Sequence, residues 1–332
     1  MRSMAVALAL AGAMAVAGCG TRARVEQAAA DAQKASNSGD YRAAAADLNP
    51  VVEADSQDPQ AYMAQAYAYF ESGQNQQAIA DVTRAVDLEP DAAIYRLARA
   101  YGYTRTGEFE RALEDANDAV ERAPHSSYCY SVRGYVYMTM GDSAKAIPDL
   151  TRALKEDPNS AVFMVQRGFA YGMAGRYGAA KQDFAAAIRT RPSYGASYSA
   201  LAWLQATCPN AKYRDAKSAV ENGKRGAQLG APSLLAALAT ITGAQIKAKP
   251  GAGQDSTALA WSLDALAAAY AEAGQFDQAV AAQKQAIAHN RTAPNPLATK
   301  ERKLLSLYQQ GKPYRAGFDS LVPELPWISL PA

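Results

Sequence analysis

Gly73, Gly107, Gly141 and Gly175 stand 34 residues apart, and each is followed by an alanine five positions later (Ala78, Ala112, Ala146, Ala180) and a proline seventeen positions later (Pro90, Pro124, Pro158, Pro192). A fixed period of that length means that one small supersecondary unit is copied and stacked, since no unit buries its apolar face without a neighbour. Within one period Phe109, Ala112, Leu113, Ala116, Ala119 and Val120 recur at helical rather than strand spacing. The glycine permits the backbone turn that ends one helix, and the proline ends the next and redirects the chain. Small residues at Ala66, Ala100, Gly134 and Gly168, and again at Ala85, Ala119, Ala153 and Ala187, let neighbouring helices approach closely. Asp91, Ser126 and Ser160 stand where a helix N-terminus needs a cap. Pro148, just past the first turn of its helix, predicts a mild kink and no break.

These marks, on residues 60–192 without insertion or deletion, resemble the tetratricopeptide repeat, with two antiparallel helices A and B per unit. The resemblance implies an all-α, right-handed helix-turn-helix solenoid of about six to seven repeats, with one extra helix and a C-terminal capping helix. A degenerate unit carrying Gly39, Tyr41, Ala44 and Leu48 precedes the regular ones as an N-terminal cap. After residue 192 the period loosens: Tyr198, Ala202 and Ala216 keep register, but Cys208-Pro209 replaces the turn glycine. A last unit is clean, with Leu266, Ala267, Tyr270, Gly274, Phe276, Ala279 and Ala286 in place. Between the two, Ser233 to Lys247 reads as an extra helix and Ala248 to Asp255 as a Gly/Pro loop. Ala202 to Pro209, Tyr213-Arg214-Asp215, Leu263 to Gly274, Tyr308 and Gly311 to Tyr314 resemble a recurrent C-terminal module of bacterial tetratricopeptide proteins. That module implies no catalysis, so Cys208 is not assigned as a nucleophile.

Residues 1–18 run from Arg2 through an Ala-rich apolar stretch, too short to span a bilayer but suited to a cleaved export signal. Val16-Ala17-Gly18-Cys19 resembles the lipobox of bacterial lipoproteins, which implies that Cys19 is lipidated and that the chain is tethered to a membrane through its lipid anchor. With Gly20 and not Asp after the cysteine, the resemblance implies the periplasmic face of the bacterial outer membrane. The resulting plan is a signal peptide at 1–18, a tether at 19–30, a regular array at 31–192, a C-terminal module at 193–317 with its insertion at 233–255, and a Pro-rich tail at 318–332. The tail, with Trp327 and three prolines from Leu321 onward, could fold back on the last unit or serve as a docking peptide.

Lys plus Arg number 34 against 32 for Asp plus Glu, so the net +2 charge gives no field of the kind that nucleic acid requires. Only His125 and His289 are present, in different repeats, so neither a metal site nor a Ser-His-Asp relay is easily assembled. No catalytic constellation, metal or cofactor is assigned. Cys129 and Cys208, two repeats apart, are expected as buried thiols rather than a disulfide.

Residues 34 apart line up along a repeat array, which makes columns the natural candidates for a site. Tyr67, Tyr101, Tyr135, Phe169 and Trp203 share one helix A position, which the resemblance turns toward a concave groove. Such rings suit the binding of an extended or helical peptide from an envelope protein, or could stack on the sugars of peptidoglycan, or could simply fill the inner wall. Tyr69, Tyr103, Tyr137 and Tyr171 read as core. Arg99, Arg133 and Arg167 pair by co-occurrence with Asp81, Asp115, Asp149 and Asp183, within a unit or across to the next, as a structural ladder. The lysine and asparagine pattern that grips a partner's terminal carboxylate is absent. Taken together, these features suggest a non-enzymatic scaffold or adaptor for envelope proteins.

Overall fold

Each turn glycine closes a helix in the way its missing side chain allows. In the computed structural model, which describes residues 19–38, 40–229, 256–289 and 295–315, Gly73, Gly107, Gly141, Gly175 and Gly274 have φ of 70 to 80°. The residue after each glycine donates its N–H to the carbonyl of the tyrosine four positions before it: Gln74 to Tyr69, Glu108 to Tyr103, Asp142 to Tyr137, Arg176 to Tyr171 and Gln275 to Tyr270, each at 2.8 Å. Nothing stands within 4 Å of where a Cβ would sit at Gly107, Gly141 or Gly175, so backbone conformation and not crowding calls for glycine there.

The described helices divide into two units, with the division between Val132 and Arg133. The first holds α1 (Cys19–Ser38), α2 (Tyr41–Asp47), α3 (Asn49–Ala54), α4 (Pro59–Glu71), α5 (Asn75–Leu88), α6 (Ala93–Thr106) and α7 (Phe109–Arg122). The division falls inside α8 (Ser127–Thr139). The second unit continues with α9 (Ser143–Glu156), α10 (Ala161–Met173), α11 (Tyr177–Thr190), α12 (Gly195–Thr207), a 3-10 turn (Ala211–Tyr213), α13 (Ala216–Leu229), α14 (Ser256–Glu272), α15 (Phe276–His289) and α16 (Asn295–Gln309). Within each unit successive helices pack on one another as helix-turn-helix pairs, and α14 packs on both α12 and α13. None of the described helices is long and apolar enough to cross a membrane.

The pairs interlock by exchanging volume between positions 16 residues apart, the middle of helix A and the facing turn of helix B. Gly134 lies against Leu150 and Gly168 against Phe184, where a Cβ would come within 2.9 Å and 2.4 Å. The small Ala66 and Ala100 have Val82 and Ala116 at the matching positions, all fully buried. At Gly134 and Gly168 a large residue on one helix is thus matched by a missing side chain on the other, which lets the two helices pack closely. Pro148 lies inside a continuous α9.

Three expectations change. The 19–30 stretch is the first part of α1 and not a tether, because Val25, Ala29 and Ala32 recur at helical spacing and bury against Leu48, Val51, Ala61 and Ala64. Asp91 does not cap α6: Ala92 occupies that place without a side-chain bond, and the Asp91 carboxylate instead accepts from Arg122 Nη1 at 2.7 Å. Ser160 does cap its helix, accepting from the Phe163 N–H at 3.4 Å. Of the tyrosines expected in the core, only Tyr103 is buried, while Tyr69, Tyr137 and Tyr171 keep part of their surface. Cys129 and Cys208 are both buried. The 1–18 signal, the Ser233–Lys247 helix with its loop, and the 318–332 tail lie outside the described residues.

Candidate functional site

The Arg–Asp rungs form within single units. Arg99 meets Asp115, Arg133 meets Asp149 and Arg167 meets Asp183, each through Nε to Oδ2 and Nη2 to Oδ1 at 2.8 to 2.9 Å. The aspartates are 7, 11 and 10% exposed at the side chain, so each guanidinium fork neutralises a carboxylate that helix packing has taken out of water. Arg99 extends over the Tyr103 ring at 5.9 Å and Arg167 over the Tyr171 ring at 5.6 Å, and a cation from the start of helix B covers each consensus ring: Arg111 over Tyr103 at 4.1 Å, Lys145 over Tyr137 at 5.4 Å and Arg176 over Tyr171 at 4.5 Å. Tyr103 is buried beneath its cation, whereas Tyr137 and Tyr171 keep part of their surface and the cation covers it.

The first rung is incomplete. Asp81 occupies the acidic position, but Gln65 stands where the arginine would be, and its amide is turned to the Ala45 carbonyl at 2.9 Å and to Asn49 Oδ1 at 2.7 Å. Asp81 Oδ2 is buried without a hydrogen-bond partner, and burial pushes its carboxyl up to about 7. The sequence analysis grouped Asp81 with the paired aspartates, although Gln65, 34 residues before Arg99, already marks the changed partner position.

The aromatic column grades from open to closed along the chain. Tyr67 and Tyr101 are half-buried, packed edge-on against Tyr41 at 6.5 Å and Phe70 at 5.3 Å between ring centroids. Arg105 lies over the Tyr101 ring at 5.7 Å and donates to its hydroxyl at 3.1 Å. Tyr135 is 3% exposed, while Phe169 and Trp203 are completely buried. Phe169 is enclosed by Phe184 at 5.3 Å and Trp261 at 6.0 Å, and Trp203 by Tyr314 at 5.9 Å with Lys300 over its ring at 5.3 Å. The five residues therefore share a register without sharing an environment, and Phe169 and Trp203 have no ring face left for a partner.

What closes the second unit is an ion-paired clasp that the sequence reading missed. Arg214 donates to the carbonyls of Cys208 at 2.8 Å and Pro209 at 3.1 Å, satisfying the end of α12 where the turn glycine is missing. It also pairs with Glu272 at 3.3 Å, and Glu272 pairs with Arg315 as well. The segment after α16 is thereby held against α12 and brings Tyr314 onto Trp203. Arg214 was visible in the sequence as part of a recurrent string; its partners were not, because they lie outside the period. Burial pushes the Cys208 thiol up, away from the thiolate form that nucleophilic chemistry needs. Among the described residues no group of His, Cys, Asp and Glu side chains is arranged to hold a metal ion.

Two family models described as tetratricopeptide repeat match the chain, one at residues 30–80 and 63–127 and the other at 127–160. No curated protein matches. Among solved structures, a tetratricopeptide repeat protein from Parabacteroides merdae is 17% identical, with 86% of this chain and 98% of that chain covered at a TM-score of 0.51. A thermophilic TPR protein of Thermus thermophilus (24% identity, 46% and 84% covered, TM-score 0.43) and MamA from Desulfovibrio magneticus RS-1 (18% identity, 51% and 96% covered, TM-score 0.42) are also similar. The likeness to the first extends the fold beyond the residues that the family models match. With its glycine turns, volume-matched helix pairs and rungs in register, the chain is built of tetratricopeptide repeats.

Proposed function

We propose that this chain is a non-enzymatic adaptor that holds a peptide segment of an envelope protein against the half-buried rings of Tyr67 and Tyr101. A tetratricopeptide fold is a protein-interaction scaffold, and the observation that carries the finer reading is the burial contrast along the aromatic column: the first two rungs keep ring surface in solvent while the last two are filled by the chain itself. Tyr101 also has Arg105 beside its hydroxyl, while the Tyr67 hydroxyl is turned into the protein, so the face offers two ring surfaces, one polar edge and a cation to a peptide. Lipidation at Cys19 completes the reading. Val25, six residues after Cys19 on α1, is packed in the first unit's core, so the anchor would lie about 9 Å along the helix from that packed residue and hold the first unit close to the outer membrane.

The test is a Tyr67→Ala, Tyr101→Ala double variant compared with the parent for proteins crosslinked in intact cells. Loss of specific partners from a variant that still melts cooperatively supports the reading, and an unchanged partner set rejects it. Retention on purified cell wall, lost in the same variant, would move the occupant from peptide to glycan. Incorporation of a labelled lipid precursor into the parent and not into Cys19→Ala tests the anchor, and equal labelling rejects it.

A further inference from the structure

A cleft of the second unit presents cations and an aromatic wall without an acid to match them. Lys181, Gln182, Ala185 and Arg189 stand on one face of α11 and, with Gly178 and the Tyr213 ring, line a shallow cleft of about 370 Å³. The ring lies close on the helix where position 178 is glycine, whose Cβ would stand 3.2 Å from the Tyr213 hydroxyl. Lys181, Gln182 and Arg189 are exposed, as is Lys212, whose ammonium lies over the Tyr213 ring at 5.8 Å. Asp215, the acidic group near Lys181, is engaged in accepting from the backbone and hydroxyl of Ser218 at 3.1 and 2.6 Å. Among the described residues, Lys181 and Arg189 are therefore two cations without an ion pair beside an aromatic wall.

We propose that residues 322–327 of the same chain dock in this cleft, with the Glu324 carboxylate between Lys181 and Arg189 and a proline ring against Tyr213. The chain beyond Arg315 carries Asp319 and Glu324 and no Lys, Arg or His, so its charge complements the cations of the cleft. Its starting point is close by. Arg315 pairs with Glu272, and Glu272 with Arg214, the neighbour of Tyr213, so the last described residue stands two ion pairs from the cleft wall. The nine residues from Arg315 to Glu324 reach up to about 30 Å, enough to pass Tyr213 and follow α11, along which Lys181 and Arg189 are about 12 Å apart. Val322 and Leu325 each precede a proline, which favours extended backbone, and extended Pro-rich segments dock on aromatic-lined grooves. The contact lies within the second unit and is independent of the peptide held at Tyr67 and Tyr101.

Carbodiimide crosslinking of the full-length protein, which joins a carboxylate to an amine only where the two meet, tests this by peptide mapping. Salt is varied from about 0.01 M to about 1 M, over which the Debye length falls from about 30 Å to about 3 Å. The expected result is a Glu324–Lys181 link at low salt whose yield falls several-fold at high salt. In a mixture of isotope-labelled and unlabelled protein the link should stay within single copies. A link between copies gives the cleft to a second molecule and overturns the proposal, as does a Glu324 that links elsewhere or not at all in protein that melts cooperatively. Arg189→Glu keeps both reacting groups and should lower the yield several-fold, while adding Glu324→Lys should create a link between positions 324 and 189. An Arg189→Glu yield equal to the parent's, or a folded double variant without the new link, also overturns it.

Discussion

In the first unit Tyr67 and Tyr101 keep part of their rings in solvent beside Tyr41 and Phe70, whereas in the second Phe169 and Trp203 are wholly enclosed by Trp261 and Tyr314. Both sets occupy one position of the repeat and both begin from the same helix A packing. The difference is made by chain outside the 60–192 array: α14, the first helix of the last repeat, supplies Trp261, and the segment clasped through Glu272, Arg214 and Arg315 supplies Tyr314. A repeat position thus fixes which residues line up, while later chain outside the regular array decides which of them remain available to a partner.

The largest effect that would break this comparison is on stability. Phe169→Ala should cost about 3–5 kcal/mol in urea unfolding, as expected for an enclosed aromatic ring, while Tyr101→Ala should cost about 1 kcal/mol and act mainly on binding. Equal costs would erase the distinction between filled and open rungs. Next comes the volume exchange. Gly168→Ala drives a Cβ into Phe184 and should cost about 2–3 kcal/mol, much of it restored by Phe184→Leu. Gly107→Ala meets no atoms, and the left-handed backbone alone should cost it about 1 kcal/mol.

The ladder comes third, and its two ends should respond oppositely. Arg133→Ala leaves the Asp149 carboxylate, 11% exposed, without its fork and should lose about 2 kcal/mol at neutral pH. Asp81 has no fork to lose. Its folded carboxyl titrates at about 7, above the roughly 3.9 of an unfolded aspartate, so between those values the native state holds a proton that the unfolded state releases. Stability attributable to this group is therefore intact below about pH 4 and falls as pH rises to about 7. Asp81→Asn should match the parent at pH 4 and exceed it by about 1 kcal/mol at pH 8, discounting for partial exposure. An Asp81→Asn variant that is destabilised at pH 8 would show that the carboxylate has a partner after all.

Much of the fold was legible because it is local. Gly107 and Pro124 bound a helix whose apolar spacing runs from Phe109 to Val120, and each rung pairs an Arg and an Asp 16 residues apart in the same unit. The choice between pairing within a unit and pairing across units needed the geometry, since both keep the same column. The start of α1 was misread because an Ala-rich stretch looks like a linker until Leu48 and Val51 are seen to cover it. The aromatic column was legible as a register and not as a surface. Nothing near Trp203 in the sequence announces Tyr314, and the register of Phe169 does not reveal that Trp261 will close over it.

Hydroxyl-radical footprinting of the five aromatic rungs, in purified protein and in native membranes, tests the central claim most directly. The account predicts oxidation of Tyr67 and Tyr101 and protection of Tyr135, Phe169 and Trp203 in the purified protein, with Tyr67 and Tyr101 becoming protected in membranes where a partner is present. Oxidation of Trp203 as fast as Tyr101 in folded protein, or unchanged rates at Tyr67 and Tyr101 in membranes, would contradict it.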